Sequence, residues 1–102
     1  MAGMVFAPGD RGWTANSWIF YWVVETVAAH VQDPALKTGV SEIEEHHLGS
    51  LDPDDWPEPQ RRELVSVIRR LPRIAEAELP AGDGREHVVR QLEELAALFP
   101  SA

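Results

Sequence analysis

The chain has 102 residues, enough for one small domain that buries roughly two-thirds of the surface its unfolded form exposes, and too few for two. A hydrophobic content of 44% beside 25% charged residues excludes wholesale disorder, and the absence of cysteine removes disulfides, thiolate catalysis and Cys-type zinc sites while agreeing with a reducing, cytoplasmic address. A net charge of −8 argues against a general nucleic-acid binder, because phosphates would be repelled, and suits a basic protein partner.

Residues 1–13 are glycine-rich and contain the Pro8-Gly9-Asp10 turn signal. They read as a loose or extended lead-in, tacked down by Met4, Val5, Phe6 and Trp13. The segment lacks the basic start and long apolar stretch of a signal peptide, and Glu25 interrupts the following apolar run before it could span a bilayer, so no membrane segment is expected.

That run, 16–32, is the most apolar in the chain and predicts a first helix capped by Thr14 or Asn16. At 100° per residue, Phe20, Val23, Val24, Val27 and Val31 share one face and should enter a core. Trp18, Trp22 and Ala29 stand nearly opposite, with Glu25, Thr26 and Gln32 beside them. A helix apolar on two sides is buried between layers or carries a second interface. Either a later helix covers the indoles, or Trp18, Trp22 and Glu25 form an oligomer face, as in a homodimer.

Asp33-Pro34 opens a second helix, with an N-cap followed by proline at the first helical position. Leu36, Val40, Ile43 and His47 form its stripe, and Gly49 closes it. Gly39 inside costs up to ~1 kcal/mol relative to alanine. The proline-rich stretch 50–59 then forms a loop, with one turn at Asp52-Pro53 and Trp56 pinning it to the core.

A third helix starts near 57–60 and turns Leu64, Val65, Val67, Ile68 and Leu71 inward. Pro72 should kink or split it, because proline removes a hydrogen bond and clashes with the preceding turn. Asp83-Gly84-Arg85-Glu86 matches a capping box for a fourth helix, whose inward stripe is Val88, Leu92, Leu95 and Phe99. No stretch alternates convincingly with a period of two. The expected architecture is all-α: a small four-helix bundle or orthogonal array with the first helix in the middle.

Glu44 and His47 have the Glu-x-x-His spacing of di-iron helix bundles, with Glu25 as a conceivable further ligand. Such a site needs a second motif and more glutamates, so the expectation is no metal and no cofactor. The 52–63 stretch resembles a calcium loop only in charge, since Pro57 stands where glycine is needed. No serine, histidine or glycine pattern supports a hydrolytic triad or a phosphate loop.

Seven carboxylates and no lysine or arginine lie between Glu42 and Glu58, and Arg61, Arg62, Arg69, Arg70 and Arg73 follow. Surface pairing between the two groups is one account, worth ~0–1 kcal/mol per pair. The other is an acidic edge of Glu42, Glu45, Asp52, Asp54, Asp55 and Glu58 around Trp56 that docks a basic partner. The leading expectation is a non-enzymatic binding module, comparable in size, charge and fold class to bacterial immunity and antitoxin inhibitors. Alternatives are a homo-oligomer joined through Trp18 and Trp22, and a metal-dependent enzyme using Glu44 and His47.

Overall fold

Alternation, not helical periodicity, governs the start of the chain. In the computed structural model, which describes residues 2–99, β1 (Ala2–Ala7) and β2 (Arg11–Asn16) form an antiparallel hairpin with Ala2 opposite Asn16 and Ala7 opposite Arg11. A short β3 (Ser50–Leu51) pairs parallel to β1 through Val5 and Leu51, giving the sheet order β2-β1-β3. The fold is therefore α+β, and the all-α helical bundle expected from the sequence is corrected: residues 2–7 and 11–16 are strands, not a lead-in.

The reason lies in which residues face inward. Gly3, Val5, Trp13, Ala15 and Leu51 are buried on one side of the sheet. Two of these are small, while the outer face of β1 carries Ala2, Met4 and Phe6, so the two faces barely differ in hydrophobicity and the period of two does not register. A side chain could not be added at Gly3, where a Cβ would fall 2.0 Å from the ring of Phe20. Gly12 likewise leaves room for the Met4 methyl, 2.2 Å from where its Cβ would be. The reversal uses left-handed backbone at Gly9 (φ 74°) and Asp10 (φ 58°), the residue types that tolerate it.

Helix α1 (Ser17–His30) follows directly, its first turn capped by Asn16, whose side chain accepts from the Ile19 amide at 2.9 Å. It packs on the sheet, on α2 (Pro34–Glu45) and on α3 (Glu58–Glu78). Phe20, Val23, Val24, Val27 and Val31 are buried as its periodicity requires, but so is Thr26, which the helical wheel placed among the polar residues. Asp33 caps α2, accepting from Leu36 at 2.9 Å. Glu63 of α3 pins the junction between these helices by accepting the amides of Gln32 (2.8 Å) and Asp33 (3.2 Å).

Two further expectations are corrected at helix ends, and of the kink or split expected at Pro72 the split is excluded. Gly49 does not close α2; His47 takes the left-handed position (φ 53°), with Leu48 N–H donating to Ile43 O and His47 N–H to Glu44 O. Helix α3 is not split at Pro72. Leu64, Val67, Ile68, Leu71 and Ala75 are buried on both sides of the proline, and that apolar burial outweighs one lost hydrogen bond. The capping box of α4 (Asp83–Ala97) does not form, because Gly82 is the cap and Asp83 already lies inside the helix, where it still suits the positive end of the dipole.

Helices α3 and α4 pack together and close the core with Leu71, Leu92, Leu95 and Phe99. The Trp13 indole donates to Gln91 O at 3.0 Å, stitching the hairpin to α4. Among the described residues, no helix is long and apolar enough to cross a membrane.

Candidate functional site

The acidic segment is held on rigid parts. Glu42 and Glu45 lie on the exposed side of α2, and a 3₁₀ turn (Pro53–Asp55), capped by the Asp52 side chain accepting from Asp54 N at 3.0 Å, carries Asp54 and Asp55. Trp56 follows, half-buried against the core. Its ring lies over Gly39 of α2, so close that a Cβ there would meet the indole at 3.0 Å. The glycine read as a weakness of α2 is the place where the loop attaches. Trp56 thus anchors the segment to its own chain.

The carboxylates divide into engaged and open ones. Arg61 donates to Asp54 at 2.9 Å and Arg62 to Glu58 at 3.4 Å, while Asp52 is spent on its own turn. Asp54 nevertheless remains 73% exposed, so its pair is a solvated one of small energy. Glu42, Glu45 and Asp55 are exposed and make no ion pair among the described residues.

The arginines are not consumed by this pairing. Arg61, Arg62, Arg69, Arg70 and Arg73 line one cleft of about 980 Å³ along α3, together with Pro8, Val65, Pro72 and Phe99, the last of which is buried. Arg69 donates to the Phe99 carbonyl, and Arg70 to Ser66 O at 3.4 Å; neither contact neutralises a charge. Surface pairing between the two groups is partial: two arginines meet acids of the segment, and among the described residues the other three make no ion pair. The sequence signal was present in the stripe Arg62, Ser66, Arg69, Arg73, which is one face of a helix.

The aromatic face of α1 is partly covered. Trp22 packs against the core at intermediate exposure, whereas Trp18 is 61% exposed. Trp18 borders a second, largely apolar cleft of about 560 Å³ with Ile19, Leu79, Pro80 and Val88. Glu25 is exposed and pairs with neither Arg69 nor Arg73. Its neighbour is Glu44 across the α1–α2 contact, and the hydrogen bond between the two carboxyls, with some burial and like-charge repulsion, raises the Glu44 pKa, opposed by the nearby His47.

The structure thus brings Glu25, Glu44 and His47 into one neighbourhood. Among the described residues, however, no three carboxylate or imidazole groups are arranged to hold a metal ion. Of the remaining histidines, His30 at the end of α1 pairs with Glu78 at the end of α3 at 3.4 Å, and His87 meets Gln91 one turn on at 3.1 Å, both at the surface. No family model matches the chain, and no curated protein or solved structure is measurably similar to it.

Proposed function

We propose that this is a non-catalytic binding module that occupies the surface of a basic protein partner through its acidic edge. The observation that carries the reading is the trio of exposed carboxylates, Glu42, Glu45 and Asp55, without an ion pair among the described residues, on elements joined by Trp56 over Gly39. Binding by charge needs only such a preorganised edge. Inhibition of a basic enzyme, in the manner of immunity and antitoxin proteins, is the form it would take in the cytoplasm; that analogy now rests on size and charge alone. Trp56, half-buried over Gly39, positions the edge and remains its aromatic contact for the partner.

Partners captured from lysate by the wild type and by a Glu42→Lys, Glu45→Lys, Asp55→Lys variant test the reading. The variant should lose basic partners, and for any one of them association should slow by about tenfold or more at low salt, with little change in dissociation. Identical partner sets and rates would exclude the edge. Turnover of a small molecule abolished by one side-chain change would exclude the whole reading.

A second reading has its own support: Trp18, 61% exposed beside an apolar cleft, suits self-association through that face. Sedimentation of wild type and Trp18→Ser over a range of concentrations decides it. A dimer that dissolves in the variant supports the contact, and a monomer throughout removes it.

A further inference from the structure

We propose that the arginine cleft on α3 is a second binding site, of opposite sign to the acidic edge, and that it takes a carboxylate-rich, partly apolar polypeptide segment of a partner. It goes beyond the acidic-edge reading and does not depend on it. In a chain of net charge −8, Arg69, Arg70 and Arg73 gather on one helix with no carboxylate within ion-pair distance among the described residues. Cations placed together without counter-charges repel one another, and an anion from outside relieves this.

The chemistry of the occupant follows from the cleft. All five of its cations are arginines, whose planar forks suit carboxylate or phosphate. At its N-terminal end the row already holds carboxylates, Asp54 on Arg61 at 2.9 Å and Glu58 on Arg62 at 3.4 Å. Pro8, Val65 and Pro72, each partly exposed, supply apolar lining among the charges, which suits side chains alternating between acid and hydrocarbon and offers little to a sugar-phosphate strand. From Arg62 to Arg73 the row spans about 16 Å of helix axis. Glu58 and Glu76 line its two ends, so it fits a short segment and repels a continuous polyanion.

The test uses the full protein and a fluorescein-labelled peptide in which glutamates alternate with leucine and phenylalanine. Three controls accompany it: the same peptide with glutamine for glutamate, a single-stranded oligonucleotide of matched charge, and sedimentation of the protein alone. The acidic peptide should bind saturably, more weakly as salt rises, and the glutamine peptide should not bind. Arg70 and Arg73 are exposed and make no tertiary hydrogen bond among the described residues, so Arg70→Ser with Arg73→Ser should stay folded, its thermal midpoint lowered only by the weaker helix propensity of serine. That variant should lose about tenfold or more in affinity, and Arg70→Lys with Arg73→Lys should lose less.

Peptide affinity untouched by the serine variant would overturn the proposal, as would no saturable binding of the acidic peptide. Tighter binding of the oligonucleotide would assign the cleft to phosphate instead. A self-associated protein that becomes monomeric in the serine variant would make a second copy the occupant, which also overturns it.

Discussion

The N-terminal hairpin and the α3–α4 pair feed the same core by opposite means. The helices contribute large side chains at helical spacing: Leu64, Ile68, Leu71, Leu92 and Leu95 are all buried. The hairpin contributes Gly3 and Ala15 as much as Val5 and Trp13, and one of its main tasks is to leave space for Phe20 of α1. A surface that supplies bulk announces itself as a pattern of apolar residues. A surface that receives bulk is written in small residues, which also mark turns.

The largest effects should come from the supplying side. Leu92→Ala empties a fully buried position between α3 and α4 and is expected to cost about 2–5 kcal/mol in denaturant unfolding, with the midpoint falling and the slope kept. A cost below about 1 kcal/mol would mean that α4 is not part of the cooperative core, and the comparison would fail on its more legible side.

Next in size is Gly3→Ala, one added methyl. Because its Cβ would fall 2.0 Å from the Phe20 ring, either ring or strand must move, and a loss of about 1–3 kcal/mol is expected. Phe20→Leu in the same chain should recover part of that loss, a coupling that a double-mutant cycle reads directly. Independent, additive losses would show that Gly3 is conformational and not a receiving position.

How much was legible follows the same division. The buried face of α1, the Asp33 cap of α2 and the inward stripe of α4 were all readable, because each depends on residues within one or two turns of each other. The sheet was missed because Gly3, Ala15 and Gly12 hide its alternation and because β3 is two residues long and pairs with a strand more than forty residues away. At the candidate site, the acidic run and the arginine row could be read as composition. Which arginines meet which acids could not, since Asp54 meets Arg61 through a turn whose direction is set by Trp56 lying on Gly39.

A pair of identical substitutions carries the comparison into the helices. Gly84 in the first turn of α4 has nothing within 4 Å of an added Cβ, so Gly84→Ala should stabilise by ~0.4–1 kcal/mol through the unfolded chain. Gly39→Ala faces the Trp56 ring at 3.0 Å, and the same gain should be cancelled while tryptophan emission shifts. Equal stabilisation at both positions, with unchanged emission, would detach Trp56 from α2 and with it the rigidity proposed for the acidic edge.

The smallest expected effect lies where two legible helices meet in a way neither announces. The hydrogen bond with Glu25, and to a lesser extent burial and its charge, raise the Glu44 pKa from the ordinary 4.5. A carboxyl whose folded pKa is raised holds its proton more tightly when folded. Its contribution is therefore fully present below the ordinary value and is lost as pH rises through the raised one. Glu25→Gln removes the like charge, so it should stabilise the protein slightly at pH 7, by the ~0.2–0.5 kcal/mol of a screened surface pair, and by progressively less as the pH approaches 4. Urea unfolding of both proteins across that range measures the difference. A gain that stays constant with pH would show that the two carboxyls do not share a proton, and that α1 and α2 meet there without electrostatic cost.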